Sequence, residues 1–196
     1  MAKDSRIKAV ENARKLFIQK GKEGVRMQEI ADKAGVNKGL LHYYFKTKDN
    51  LFQEIFRIEF LSLYGIINEI LKGKNSMDEK LSSIIDHFFA KNLAEENYGS
   101  FMAFECARNN KLVGELEVEA NFGNSVELLN TEFRNNKISS THAFSLQVML
   151  NIISLCTFPF SLQGAVDKIN GKGDWESFMD ERKTFLKTII IGSLRP

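Results

Sequence analysis

The sequence predicts an all-α protein in which a small amino-terminal domain is joined to a larger helical body. Only two prolines, Pro159 and the final Pro196, occur in 196 residues, and runs of the β-branched residues typical of strands are scarce. Apolar residues instead recur at the three- and four-residue spacing of helices along most of the chain. We therefore expect about nine helices and no sheet.

The composition is that of a globular chain long enough to bury its own core. Apolar residues make up 43% and charged residues 27%, close to the usual proportions. The most apolar stretch, 152–162, is short and is interrupted by polar residues and a proline, so we expect no membrane-spanning helix. Residues 1–6 are not followed by the apolar run of a signal peptide. These features predict a cytoplasmic protein.

The two cysteines predict neither a metal site nor a disulfide. Cys106 and Cys156 lie fifty positions apart and lack the paired spacing of a zinc site or a redox dithiol. We expect free, mostly buried thiols, no metal and no cofactor. Whether either thiol responds to oxidants is left open.

Charge is unevenly distributed, although the net charge is only +2. Residues 1–50 carry 12 basic and 6 acidic side chains, a net +6, whereas residues 51–196 carry 15 and 19, a net −4. A basic amino-terminal quarter on a mildly acidic body indicates that one end meets a polyanion. A solvated basic surface without such a partner is the alternative.

The first three predicted helices are short and follow one another closely. The first starts near Ile7, carries apolar residues along one face and ends at Gly21. The second covers about 27–33 and the third about 38–44, with the break Ala34-Gly35-Val36 between them.

A long fourth helix is predicted from 48 to 72. Thr47 can cap it, because its hydroxyl can accept an amide proton of the first turn. Asp49 adds a negative charge near the positive end of the helix dipole. At about 1.5 Å per residue the helix is about 37 Å long, which suits a lever between the two parts of the chain.

The remaining helices are predicted from apolar stripes. A buried stripe runs through 81–89. Further helices cover about 98–109, 112–136, 141–158 and 174–193. Gly114 and Gly123 weaken the first half of the 112–136 helix, whose pattern is regular only from Phe122 onward.

The stretch 27–45 is typical of a helix-turn-helix, two short helices joined by a tight turn. Ala31 is small where the two helices approach each other. Gly35 suits the left-handed conformation that ends the first helix, and Asn37 can cap the second by accepting an amide proton from Leu40. The apolar side chains expected between the helices are Ile30, Val36 and Leu41.

The residues left on the outer face of this motif suit nucleic acid. They are Gln28, Lys38, Gly39, His42, Tyr43 and Tyr44. Lys38 can pair with phosphate or guanine, and Gly39 lets the backbone approach a duplex. A tyrosine offers a flat apolar face to a thymine methyl and a hydroxyl to phosphate. Arg26 and Lys48 are placed to hold the flanking backbone. Alternatively, His42 and one tyrosine pack inward against the first helix.

In order and spacing, the amino-terminal residues resemble the TetR family of bacterial transcriptional regulators. The matching positions are Leu16-Phe17, Gly21, Ile30-Ala31, Ala34-Gly35-Val36, Lys38-Gly39, Leu41, Tyr44-Phe45, Lys48 and Leu51-Phe52. They cover about a quarter of the chain, and the rest agrees with the family in length and helical pattern. Together with the capping argument, the resemblance implies these DNA-binding residues: Arg26, Gln28, Asn37, Lys38, Gly39, His42, Tyr43, Tyr44 and Lys48.

Two positions depart from the family pattern. Arg26 stands where members usually have Thr or Ser, so it keeps a phosphate contact but puts the helix cap in doubt. His42 replaces the usual tyrosine, so its contact either weakens above neutral pH or is purely structural.

The resemblance also implies a carboxy-terminal domain that encloses a small-molecule pocket. Sixteen phenylalanines either fill a core or line such a cavity. The candidate pocket residues are Phe60, Tyr64, His87, Phe88, Phe101, Phe104, Glu105, Arg108, Asn121 and Phe122. Their aromatic character favours a lipophilic or aromatic effector over a sugar phosphate.

The same resemblance implies that the last two helices form a homodimer. The final helix is apolar over about half its circumference, which would expose too much apolar surface in a monomer. The candidate interface residues are Phe144, Val148, Ile152, Leu155, Trp175, Phe178, Met179, Leu186, Ile189 and Ile190. Two helices from each copy can make a four-helix bundle about a two-fold axis.

Together these features predict a ligand-responsive regulator that binds a near-palindromic DNA operator, most simply a repressor released by its effector. We expect a DNA-binding domain over 1–47, a connecting helix over 48–72 and a ligand-binding and dimerisation domain over 73–196. The alternatives are a helical ligand-binding or interaction module without specific DNA binding, and a transcriptional activator. An enzyme is disfavoured, because the histidines are scattered and no nucleophile elbow, zinc pair or phosphate loop is present.

Overall fold

The computed structural model describes residues 2–169 and 174–194. Its elements are α1 (Ala2–Lys20), α2 (Met27–Ala34), α3 (Lys38–Phe45), α4 (Lys48–Lys72), α5 (Met77–Ala94), α6 (Tyr98–Arg108), α7 (Asn110–Glu119), α8 (Phe122–Asn135), α9 (His142–Thr157), a 3₁₀ turn (Phe158–Leu162), α10 (Gln163–Ile169) and α11 (Trp175–Ser193). These residues contain no strand, and the all-α prediction is confirmed.

The predicted stop and start signals of the amino-terminal helices are present. Gly21 and Gly35 adopt left-handed conformations, with φ of 67° and 65°, after α1 and α2. The Thr47 hydroxyl accepts a hydrogen bond from the Asn50 amide at 3.1 Å, and α4 has the predicted bounds. Arg26 forms no side-chain cap on α2.

The single helix predicted over 112–136 is wrong, because the chain breaks between α7 and α8. Asn121 takes a left-handed conformation with φ of 55°. The buried Asn68 of α4 explains how the break is tolerated, since its side-chain amide donates to the carbonyls of Ala120, at 2.9 Å, and Asn121, at 3.1 Å. Asn124 in turn donates to Asn68 Oδ1 at 2.9 Å. The Ala120 carbonyl after α7 is thus satisfied from a neighbouring helix, while the Asn121 carbonyl also accepts from the amides of Asn124 and Ser125.

The helical run that begins with α9 is longer than the sequence analysis predicts. It continues through the 3₁₀ turn to Ile169 because Pro159 lies in the first turn of that element, where its missing N–H has no partner to lose. By length and composition alone, the run 142–169 meets the requirement for crossing a membrane, but 28% of its most apolar window is buried against other helices. One side of α9 therefore belongs to the core and the other is an exposed apolar surface.

The amino-terminal helices share a core with the body. Four rings of α4 follow one another at centroid distances of 5.7, 6.1 and 4.5 Å: Phe52, Phe56, Phe60 and Tyr64. Phe17 of α1 packs edge-on against Phe52 at 5.4 Å, and Phe101 of α6 lies 6.3 Å from both Phe52 and Phe56. Helices α1, α4 and α6 are thus held together by aromatic contacts.

An ion-pair cluster adds a polar connection at the same place. The Arg14 guanidinium of α1 donates to Glu59 of α4 at 2.6 and 3.1 Å, and to Glu95, which follows α5, at 2.6 Å. Glu59 is only 4% exposed, so Arg14, not water, compensates the charge of its carboxylate. The Glu59 hydrogen bond raises the pKa of Arg14 above its ordinary value, so the guanidinium keeps its charge.

Candidate nucleic-acid interface and effector cavities

The turn between α2 and α3 is built by backbone geometry that requires its glycine. The amides of Gly35 and Val36 donate back to Asp32, at 3.3 Å, and Ala31, at 3.0 Å, which closes the end of α2 around a left-handed residue. Ile30, Ala31 and Leu41 are buried, and Val36 packs against the same core. The small core predicted between the two helices is therefore present.

Helix α3 begins with the predicted cap. Asn37 Oδ1 accepts a hydrogen bond from the Leu40 amide at 2.7 Å. A Cβ at Gly39 would lie 3.3 Å from that same oxygen, a tight contact. Glycine at this position thus keeps the cap free of a close contact, a reason for Gly39 that sequence reasoning missed.

The outer face of α3 is exposed and basic. Lys38 and His42 are exposed, and Tyr43 is 71% exposed although it is a large aromatic side chain. Among the described residues, neither Lys38 nor Arg26 forms an ion pair or a side-chain hydrogen bond. These two cations are therefore available to an external anion.

Several of the predicted contact residues, besides the cap residue Asn37, have partners within the chain. Lys48 Nζ donates to the Lys22 carbonyl at 2.9 Å and lies 3.8 Å from Glu23 Oε2. Gln28 Nε2 donates to Asp32 at 2.8 Å, and His42 Nδ1 lies 3.0 Å from the Lys46 carbonyl. Each keeps free hydrogen-bonding capacity beside its internal partner, because Lys48 uses only one of its three ammonium hydrogens, Gln28 keeps its Oε1 and His42 keeps its Nε2.

The aromatic residues of α3 divide between the surface and the core. Tyr44 is half-buried, with its ring centroid 6.0 Å from that of Phe45 and 5.6 Å from that of Tyr43. Lys46, which the sequence analysis did not include, is exposed and places its Nζ 5.6 Å from the centre of the Tyr43 ring. Its position directly after the recognition helix is the signal that could have identified it.

The body contains a cavity of about 150 Å³ on one side of α6. It is lined by Phe60, Tyr64, Cys106, Val113, Glu117, Phe122, Leu150 and Ile153. The Tyr64 ring lies 4.5 Å from Phe60 and 6.1 Å from Phe122. Burial raises the pKa of Tyr64 above its ordinary value and that of Cys106 to about 12, so both groups are neutral. Glu117 supplies the only carboxylate in the lining.

A second cavity, of about 280 Å³, lies on the other side of α6, against the end of α1. We call it the joint cavity. It is lined by Ile18, Gln19, Gly21, Asn97, Ser100, Phe101, Phe104, Glu105 and Arg108. Residues from both the amino-terminal domain and the body therefore form its wall.

The predicted pocket residues thus separate into three groups instead of forming one pocket. Phe60, Tyr64 and Phe122 line the body cavity, and Phe101, Phe104, Glu105 and Arg108 line the joint cavity. The remaining three line neither cavity. His87 lies 3.2 Å from the Leu63 carbonyl, with its pKa lowered by burial; Phe88 is core; and Asn121 forms the break before α8.

Comparison with known proteins matches the amino-terminal domain. Residues 9–55 match the family model of bacterial regulatory proteins, tetR family, over the helix-turn-helix just described. Over these residues the chain resembles the tetR family. It is 34% identical over 70 residues to the HTH-type transcriptional repressor KstR2 of Mycolicibacterium smegmatis, covering 35% of this chain and 34% of that protein. It is 32% identical over 87 residues to the regulator BetI of Brucella canis, covering 44% of each. The chain thus spans less than half the length of these relatives.

Solved structures share the fold over nearly the whole chain. The transcriptional regulator SCO4942 from Streptomyces coelicolor has a TM-score of 0.72 at 18% identity, covering 98% of this chain and 99% of that one. FadR from Bacillus subtilis, solved with stearoyl-CoA, has a TM-score of 0.70 at 17% identity, covering 93% and 98%. At such identities the likeness concerns the fold.

Much of the exposed apolar surface of the described residues lies on the carboxy-terminal helices. Its exposed large side chains there are Phe144, Leu150, Leu155, Phe158, Leu162, Phe185 and Ile189. Val148, Trp175 and Phe178 are half-buried. Four of the predicted interface residues lie inside the protomer's own core and are not available to a partner, because they are the inward positions of α9 and α11: Ile152, Met179, Leu186 and Ile190.

Proposed function

We propose that the protein is a ligand-responsive transcriptional regulator that acts in the cytoplasm as a homodimer. In this proposal α3 binds the major groove of an operator, and an apolar effector in the body cavity releases it. The observation that carries the proposal is the exposed face of α3, where Lys38 has no partner among the described residues and Tyr43 is 71% exposed. The tetR family match over 9–55 supports a nucleic acid as the occupant of that face.

DNA contacts fall into two kinds in this arrangement. Arg26, Lys38 and Lys46 are basic and exposed, and such side chains bind phosphate without reading sequence. Tyr43 and His42 project from the same helix and reach base edges or thymine methyl groups. In a symmetric dimer the two copies of α3 enter successive major grooves about 34 to 36 Å apart, so the operator is near-palindromic.

The exposed apolar surface of α9 and α11 supports the dimer. Phe158 and Phe185 are about 60% exposed, and apolar surface of this extent is typical of an interface. The membrane-length run 142–169 has the same explanation, since its exposed side is covered by the second copy. The corresponding four-helix arrangement has α9 and α11 from each protomer.

The effector is small and apolar. An engineered apolar cavity of about 150 Å³ in another protein holds a single benzene, and the body cavity has that volume. The stearoyl-CoA bound by the structurally similar FadR supports an apolar ligand, but a chain of that length exceeds this cavity. A compound with one aromatic ring fits between Tyr64, Phe60 and Phe122.

Coupling between effector and operator follows from the position of α4. This helix supplies Phe60 and Tyr64 to the cavity wall and Phe52 to the contact with α1. A ligand that moves the wall tilts the helix and changes the spacing of the two recognition helices. Such coupling is typically about 1 to 3 kcal/mol, a 5- to 150-fold change in operator affinity.

Fluorescence anisotropy with labelled DNA from the regions flanking the gene tests the DNA-binding part. We expect saturable binding to a near-palindrome in the presence of excess unrelated DNA, with affinity falling steeply as salt rises. Lys38→Ala is expected to weaken binding at least tenfold, while Lys74→Ala, an exposed lysine of the body, leaves it unchanged. Equal binding by wild type and Lys38→Ala would refute the role of α3.

The effector part is tested with the same complex. Single-ring apolar compounds such as toluene and indole are added, and release of the labelled operator is followed. Tyr64→Ala enlarges the cavity and is expected to change which compounds release DNA. If none of the compounds changes operator affinity in either protein, the body cavity is not the effector site.

A further inference from the structure

The joint cavity contains a buried carboxylate with little compensation. Glu105 is 4% exposed, and its Oε2 accepts one hydrogen bond, from Asn109 Nδ2 at 3.0 Å. Among the described residues no cation pairs with it. A buried carboxylate without a cation is costly, so this one has room for an external positive group.

The surroundings of Glu105 strengthen its negative potential. Its Oε1 lies close to Gly21, at the end of α1. A Cβ built onto Gly21 would be 3.9 Å from this oxygen. The last carbonyls of a helix carry a partial negative charge. A cation placed between Glu105 and the end of α1 would therefore be stabilised from both sides.

A positive group faces the same cavity. Arg108 lies one helical turn after Glu105, where side chains are neighbours, yet the two form no ion pair. Arg108 has no acidic partner among the described side chains. Both charges line the cavity while remaining separate, which leaves space for a ligand with opposite charges at its two ends.

Aromatic side chains complete the wall. Phe101 is buried, whereas Phe104 is 62% exposed beside the cavity. An exposed phenylalanine next to two unpaired charges is typical of a ligand site with one apolar part. We propose that the joint cavity binds a small zwitterion of the α-amino acid type, with its ammonium at Glu105, its carboxylate at Arg108 and an apolar side chain against Phe104.

The location gives such a ligand a regulatory role distinct from that of the body cavity. Ile18, Gln19 and Gly21 belong to α1 or its end, while Glu105 and Arg108 belong to α6. A ligand between them bridges the amino-terminal domain and the body, and so stabilises one relative position of the two. It is a second site, on the opposite side of α6 from the body cavity.

Isothermal titration calorimetry of the full chain with three compounds of one skeleton tests the proposal. L-Phenylalanine carries both charges, phenethylamine only the ammonium, and 3-phenylpropionate only the carboxylate. We expect one L-phenylalanine per chain, bound at least tenfold more tightly than either of the others. If phenethylamine binds as tightly as L-phenylalanine or more tightly, Arg108 has no role in binding. If 3-phenylpropionate does so, Glu105 has none. No binding of any of the three at millimolar concentration would overturn the site.

Variants locate the binding. Glu105→Gln and Arg108→Gln are each expected to weaken L-phenylalanine at least tenfold, while the controls Glu127→Gln and Arg134→Gln, both exposed on α8, leave it unchanged. Glu117→Gln, in the body cavity, is measured in parallel. A weakening confined to Glu117→Gln would assign the ligand to the body cavity and refute the proposal. If Glu105→Gln does not fold, Arg108→Gln still locates the ligand, because Arg108 is exposed and its replacement leaves the core intact.

Discussion

Replacement of Arg14 by methionine tests how much the polar connection between α1 and the body contributes to stability. The change keeps an unbranched apolar stem and removes the guanidinium. Three hydrogen bonds of 2.6 to 3.1 Å are lost, two to Glu59 and one to Glu95. What remains is a Glu59 carboxylate whose side chain is only 6% exposed.

The expected cost follows from the burial of the two carboxylates. Removing one partner of a fully buried ion pair costs about 3 to 5 kcal/mol, because the other charge is left uncompensated. The Arg14 and Glu95 side chains are more than a quarter exposed, so water replaces part of their interaction. The loss of the Glu95 ion pair therefore contributes about 0 to 1 kcal/mol to the decrease in the free energy of unfolding. We expect a loss of about 3 kcal/mol for Arg14→Met.

Urea denaturation followed by circular dichroism measures this loss. Arg57→Met is the matched control, because Arg57 also pairs with a glutamate, Glu119, but both side chains are more than a third exposed. We expect about 1 kcal/mol or less for the control. Glu59→Gln introduced into the Arg14→Met protein is expected to recover stability, since a neutral amide is cheaper to bury. Equal losses for the two arginine variants would refute the reasoning.

Three further predictions concern the dimer, the thiols and the break after α7. Phe185→Glu places a charge on the exposed face of α11 and is expected to give monomers in sedimentation analysis, whereas Val118→Glu, on α7, leaves the dimer intact. Burial raises the pKa of Cys106 and Cys156 from 9 to about 12, so the stability gained by keeping them neutral is complete below pH 9 and is lost as pH rises towards 12. Cys106→Ser is expected to flatten that decline in thermal melts, and an unchanged slope would contradict it. Asn68→Ala removes the side-chain donor of the Ala120 carbonyl, whereas the Asn121 carbonyl keeps the amides of Asn124 and Ser125, and the variant is expected to cost about 1 to 3 kcal/mol in urea denaturation; a loss below 0.5 kcal/mol, within the range of a neutral surface change, would show that the break does not depend on Asn68.

The amino-terminal domain could be predicted from sequence because its signals are local. The stop at Gly35 and the caps at Asn37 and Thr47 act on amides within four residues of themselves. Such interactions do not depend on distant parts of the chain. The bounds of α2, α3 and α4 therefore follow from the order of residues alone, and so does the outer face of α3.

The break between α7 and α8 could not be predicted in the same way. Gly114 and Gly123 were the local signals, yet both lie inside helices, and the break falls at Asn121. It is stabilised by Asn68, more than fifty residues earlier. A hydrogen bond between residues so far apart in sequence does not change the spacing of apolar residues in either segment, so the sequence pattern does not reveal it.

The predicted pocket residues are divided between two cavities because of the rotation of side chains around a helix. Successive residues of a helix point about 100° apart, so an apolar stripe shows that α6 is buried but not which neighbour each side faces. Cys106 faces the body cavity, while Glu105 and Arg108 face the joint cavity. Helix α6 thus forms the partition between the two cavities and, through Phe101, also contacts the Phe52 and Phe56 rings of α4. Any ligand that shifts this short helix from one side must change the wall of the other cavity, so the affinities of the two sites are expected to be coupled, and by thermodynamic reciprocity the coupling is equal in both directions.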